Sequence, residues 1–101
     1  MKSEVEIYVD YSKAIYQANR LDELVRTLNN LYKNEQECIQ GISRDWTGEN
    51  ASAYVKKANK TCDDLQKIIK QLQDSSNTLR TTAYNMMRTE QNAVAILKRS
   101  I

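Results

Sequence analysis

Apolar residues recur along this chain with a helical period, in two long runs. Between residues 11 and 46 the positions Ala14, Ala18, Leu21, Val25, Leu28, Tyr32, Ile39, Ile42 and Trp46 follow a 3-4 spacing. Glu35 is the single break in the row. Such spacing is that of a heptad seam, here sustained for about five heptads. A second run, Ala51, Val55, Ala58, Cys62, Leu65, Ile69, Leu72, Leu79, Ala83, Met86, Ala93 and Leu97, keeps the same rhythm, with Ser76 and Glu90 as polar interruptions. The pattern predicts an all-α fold: two long antiparallel helices over about 11–45 and 50–98, joined by a turn at 46–49 into one helical-hairpin domain. Asp10 or Ser12 is the expected N-cap of the first helix and Thr47 that of the second, with Glu49 favouring the positive end of the helix dipole. The stretch Asp74-Ser75-Ser76-Asn77-Thr78 has low helix propensity and is the expected weak point of the second helix.

Each seam has an apolar companion. Leu24, Leu31 and Cys38 widen the stripe of the first helix, and Tyr54, Ile68 and Ile96 that of the second. One hairpin buries one face of each helix, so this surplus calls for a partner. Dimerisation of two hairpins into a four-helix bundle is the simplest solution. The second helix also outruns the first by about 15 residues, given a rise of about 1.5 Å per residue in both. Val5, Ile7 and Val9 alternate with polar residues, which predicts an extended segment laid along that overhang. The candidate partner surface is therefore Leu24, Leu31, Tyr54 and Ile68 with the overhang residues Tyr84, Met86, Met87 and Ile96.

Composition reinforces the helical reading. Pro is absent and there are only two glycines, Gly41 and Gly48, so Trp46-Thr47-Gly48 is the strongest interruption of the pattern. Residues 1–46 carry six basic and eight acidic side chains, and residues 47–101 carry nine and five. These opposite signs favour antiparallel halves, and a net charge of +2 is too small to imply nucleic acid. The cluster Lys56, Lys57, Lys60, Lys67 and Lys70 is interrupted by Asp63 and Asp64, and reads as i,i+4 pairing of Lys60 with Asp64 and Asp63 with Lys67. No run is long and apolar enough to span a bilayer, and Met1–Asp10 lacks the apolar core of a signal peptide. The expected product is made in the cytoplasm.

Catalytic chemistry is hard to assemble from these residues. There is no His, which removes the usual general base and the commonest metal ligand. Cys38 and Cys62 are too far apart in sequence for a zinc knuckle, and no Gly-rich phosphate loop exists. The two thiols read as small buried residues. A disulfide is disfavoured if the hairpin turns at residue 47 and aligned if it turns near residue 50. The acidic pairs Asp22-Glu23 and Asp63-Asp64 diverge around the helix and do not form a dyad. The six tyrosines read as packing residues with polar tips. No enzyme, catalytic residue, metal or cofactor is expected, and the function should be binding.

A chain of about a hundred residues with two helices joined by a central Trp-x-Gly resembles the WXG family of type VII secretion proteins, the early-secreted-antigen-like group. The likeness continues beyond the tripeptide through Glu49-Asn50-Ala51-Ser52-Ala53-Tyr54, where family members similarly carry small residues and then an aromatic. The resemblance covers the length and layout of nearly the whole chain. It implies a hairpin that pairs as a homodimer or heterodimer with a WXG-like protein, and export through a type VII membrane ATPase without a signal peptide. Contact with membranes would come only through that machine. Trp46 and Gly48 match the turn motif, with Trp46 at or near the groove where two hairpins meet. Many exported members or their partners carry Tyr-x-x-x-Asp/Glu on the second helix. Here Tyr84 is followed four residues on by Arg88, which favours a partner that carries the signal. The alternatives are a cytoplasmic escort that binds the helical N-terminal domain of a larger LXG-type toxin, a structural adaptor unrelated to secretion, and a membrane-active effector with amphipathic helices.

Overall fold

The computed structural model describes residues 1–101 and is an all-α helical hairpin. Helix α1 spans Glu4–Asp45 and α2 spans Glu49–Ser100, with no strand. The three residues between them are Trp46, Thr47 and Gly48. The Trp46 amide donates to the Ile42 carbonyl at 2.9 Å and closes α1. The Ser52 amide donates to the Gly48 carbonyl at 3.1 Å and opens α2. Gly48, rather than Thr47, thus holds the N-cap position. Its φ of 107° lies in the region that favours glycine, which is why the turn carries one here.

The start of α1 departs from the sequence pattern. Residues 4–10 are helical, not extended. The physical reason lies at Ser3, whose Oγ accepts from the Glu6 amide at 3.1 Å while its carbonyl accepts from the Ile7 amide at 3.0 Å. Ser3-Glu4-Val5-Glu6 has the residue order of a capping box, and Glu4 and Glu6 place acids in the first turn. Ile7 is 2% exposed, whereas Val5 and Val9 face solvent. Ile7, Tyr11, Ala14 and Ala18 continue the 3-4 row, so the helical seam simply begins earlier. No long overhang of α2 remains, because Glu4 pairs with Lys98 and Lys2 with Glu90.

The chain packs as two compact units. Unit one joins Met1–Asp22 to Asp74–Ile101, and unit two is Glu23–Gln73. In unit two Ile39, Ala58 and Cys62 form the buried cluster, with Tyr32 and Val55 packed against it. Partners on the two helices run in opposite order, Tyr32 meeting Gln66 and Ile39 meeting Ala58 and Cys62, as an antiparallel pair requires.

In unit one the low-propensity stretch 74–78 stays helical. Ser76 is 1% exposed. Its Oγ lies 2.7 Å from Asp22 Oδ1 and 3.2 Å from the Ala18 carbonyl, and accepts from Arg80 Nη1 at 2.8 Å. Arg80 Nη2 also reaches Asn19 and, at 2.7 Å, Asp22 Oδ2. The polar interruption of the seam is therefore a satisfied network across the two helices, and that holds the weak segment. Beyond it the buried stripe of α2 moves to Leu79, Ala83, Met87, Glu90 and Val94, leaving Met86 and Leu97 exposed. A straight helix drifts against a seven-residue repeat, and two successive steps of four absorb the drift. Glu90 sits in this stripe with its carboxylate 3.1 Å from Lys2 Nζ.

Candidate interaction surface

Unit two has two unlike sides. Leu24, Leu31 and Cys38 each precede a seam residue of α1 (Val25, Tyr32, Ile39). Tyr54 and Ile68 each precede one of α2 (Val55, Ile69). Neighbouring residues lie about 100° apart around a helix. In antiparallel helices the position before the seam falls on the same side of both. These five residues therefore share one side, and all are exposed, Leu24 at 44% and Leu31 at 54% bracketing the four large ones.

The opposite side follows the seam by one position and is polar: Asn29, Gln36 and Ser43 on α1 and Ser52, Asn59, Gln66 and Gln73 on α2, with the charged Arg26, Lys33, Lys56, Asp63 and Lys70 further round. Side-chain contacts agree with this division. Gln36 Nε2 and Gln66 Nε2 both donate to the Tyr32 hydroxyl, at 2.6 and 2.7 Å. The amides thus converge from both helices on one phenol, and the large apolar groups are left to the other side.

Trp46 is 68% exposed. It borders an open cavity of about 410 Å³ with Ile42, Ser43, Ala51, Ser52, Val55 and Asn59. Ser43, Ser52 and Asn59 are polar-side residues, so the structure does not join Trp46 to the Leu24–Leu31–Tyr54–Ile68 surface.

The remaining residues of the expected surface lie in unit one and do not form one patch. Tyr84 and Met86 are both exposed, but two positions apart they point about 200° apart around α2. Met87 is half-buried, and with Met86 it lines a small groove of about 170 Å³ beside Ile7, Tyr11, Ala14 and Leu79. Ile96 is exposed. Arg88 covers Tyr84, with its guanidinium carbon 5.9 Å from the ring centroid and Nη1 3.4 Å from the hydroxyl. Of the two predicted lysine–aspartate pairs in unit two, only Lys60–Asp64 forms, at 3.3 Å.

The thiols differ, which corrects the reading of both as buried. Cys62 is buried and Cys38 exposed, and both are free. Ile39 packs directly on Cys62, so the helices are aligned along the axis at this level. What separates the thiols is rotation, since Cys38 turns to the apolar side. Burial pushes the Cys62 thiol up from its ordinary value, with smaller contributions from Glu35 and Asp63.

At the ends of the helices in unit one, charges are paired at the surface. Lys2 lies 2.8 Å from Asp10 and 3.1 Å from Glu90. The hydrogen bond from Lys2 lowers the Asp10 carboxyl, and that from Lys98 lowers Glu4. Lys2 is raised in turn, first by Asp10 and then by Glu90. No group of three or more His, Cys, Asp or Glu side chains is placed to hold a metal ion, and no helix is long and apolar enough to cross a membrane.

Comparison with known proteins finds no matching family model, no matching curated protein and no matching solved structure.

Proposed function

We propose that this chain is a small non-enzymatic protein of type VII secretion that works by pairing with another helical hairpin. The observation that carries the reading is the exposed column Leu24, Leu31, Cys38, Tyr54 and Ile68 of unit two, set opposite a polar side. A surface divided in this way buries one side against a partner and keeps the other in water. The WXG-like turn supports the link to secretion: Trp46-Thr47-Gly48 lies at the junction of the two helices, and Gly48 adopts the conformation that favours glycine. In this reading the chain is made in the cytoplasm and leaves as a secreted substrate or as the targeting partner of one, driven by the secretion ATPase.

One observation favours the escort version. Tyr84 is stacked by Arg88, a cation at the position where an exported chain of this kind carries an acid. The partner, such as the helical N-terminal domain of an LXG-type toxin, then supplies the signal. Co-expression with the adjacent open reading frames, followed by co-purification and mass measurement, tests the reading. The expected result is a stable complex of hairpins whose appearance outside the cell is lost when the secretion ATPase is deleted. Export that persists without the ATPase contradicts the secretion role. A chain that pairs with nothing, itself included, contradicts the whole reading.

A further inference from the structure

The outer face of α1 carries a second apolar row. Val5, Val9, Ser12 and Tyr16 each stand two positions before a seam residue of the hairpin, namely Ile7, Tyr11, Ala14 and Ala18. Two positions turn a helix by about 200°, so this row lies on the back of α1. Val5, Val9 and Tyr16 are exposed, and so is Tyr8 beside them. The hairpin core makes no use of these side chains, and an exposed helix position does not favour valine. All of them lie within unit one, so they are not part of the Leu24–Leu31–Tyr54–Ile68 surface.

The row has the shape that receives a helix. Its 4-3-4 spacing is that of a coiled-coil seam. Val9, Ser12, Lys13 and Tyr16 stand at i, i+3, i+4 and i+7, the four corners of a hole that takes one side chain of a facing helix. Ser12 is the small member. It leaves an open recess of about 370 Å³, bordered by Tyr8 and Tyr16 with Val9, Lys13 and Gln17.

Charge selects the kind of helix. Glu6, Lys13 and Arg20 recur every seven residues along one edge of the row. Lys2, Arg44, Lys60, Arg80 and Lys98 each pair with a carboxylate of the chain, whereas Lys13 and Arg20 pair with none, and Glu6 has no cation of its own. The Arg20 guanidinium carbon lies 6.0 Å from the Tyr16 ring centroid, so the ring orients this cation at the end of the row. A second copy of the chain would bring one acid, Glu6, to two bases. A helix with acids along the facing edge answers both.

We infer that the outer face of α1, over Val5–Tyr16, docks a helix of another protein that has an apolar seam and presents acidic side chains to Lys13 and Arg20. The inference goes beyond the pairing reading and does not depend on it, because this face uses no residue of unit two.

The probe is a fluorescein-labelled synthetic peptide of four heptads, with Leu at every a and d position and Glu at every e and g position. A twin peptide carries Lys in place of Glu. Fluorescence anisotropy at low salt gives a Kd for the acidic peptide at least about tenfold below that for its twin, and the gap narrows as salt is added. Reversing both bases together, Lys13→Glu with Arg20→Glu, turns the preference to the Lys peptide. Tyr16→Ala raises the Kd for the acidic peptide by about tenfold, with helix content by circular dichroism unchanged or higher. Leu31→Glu leaves that Kd unchanged. Binding of neither peptide, equal affinity for both, or a preference that survives the double reversal overturns the inference. Loss of binding in Leu31→Glu also overturns it, because the peptide then sits on unit two. So does a self-dimer dispersed by Tyr16→Ala but not by Leu31→Glu, because a second copy then covers the face. A chain that binds the acidic peptide on this face but pairs with no hairpin upholds this inference and overturns the pairing reading.

Discussion

Ser76 and Trp46 reverse the usual relation between polarity and burial. Ser76 is buried because Asp22, Arg80 and the Ala18 carbonyl satisfy its hydroxyl. Ser76→Ala leaves part of that network unpaired and should lower stability by about 1–3 kcal/mol in urea unfolding. Trp46 is largely in water, so Trp46→Ala should change stability by no more than about 0.5 kcal/mol while weakening partner binding or export. If the variant unfolds instead, Trp46 is a structural residue. The thiols give a third check at this scale. A thiol reagent should modify Cys38 quickly and Cys62 only on unfolding, as burial and a raised pKa both suppress the Cys62 thiolate. Sequence spacing located Ser76 as an interruption but gave no sign of its partners, which lie more than fifty positions away. Trp46 misled through its place in the 3-4 row: α1 ends one residue earlier, so the helical period no longer sets its direction.

The two elements are set by their ends as much as by their seams. Ser3 begins α1, and Ser3→Ala should cost about 1 kcal/mol, seen as faster amide exchange in the first turns. Gly48→Ala should destabilise the turn through φ alone, as no atom obstructs the added methyl. The first turn of α1 also depends on pH. Glu4 and Asp10 titrate below their ordinary values of 4.5 and 3.8, so their pairing stabilises the fold fully above those values and is lost as pH falls below them and through the lower folded-state values. Lys2 is raised above 10.5, and its contribution is lost only as pH rises past that value. Protection of the amides at the N-terminus of α1, taken relative to their intrinsic exchange rate at each pH, should therefore fall below pH 4.5, be flat through neutrality, and respond to salt, since these pairs are exposed. Both seams were legible from spacing because period and burial coincide over most of the chain. The start of α1 was not, because Val5, Ile7 and Val9 fit a two-residue period as well as a helical one, and only the Ser3 cap decides between them. Beyond Ala83 the stripe of α2 runs one position later than the spacing predicts, because the helix drifts away from a seven-residue repeat there.

At the scale of the molecule, the sides of unit two matter more than the length of the helices. The exposed column Leu24, Leu31, Cys38, Tyr54 and Ile68 was legible as surplus apolar residues. That they share one side follows from antiparallel packing, and the amide contacts to Tyr32 mark the other side. Tyr84, Met86, Met87 and Ile96 form a surface only on an unpaired overhang of α2, and the pairing of Glu4 with Lys98 and Lys2 with Glu90 removes that overhang. The central claim is that the apolar side is a docking surface for another hairpin. Sedimentation equilibrium of the native chain and of Leu31→Glu, each co-expressed with the adjacent open reading frames and run at micromolar concentration, tests it most directly. The account predicts a complex heavier than the 11.7 kDa chain for the native protein and a monomer with unchanged helix content for Leu31→Glu. A Leu31→Glu variant that associates as tightly as the native chain would contradict it.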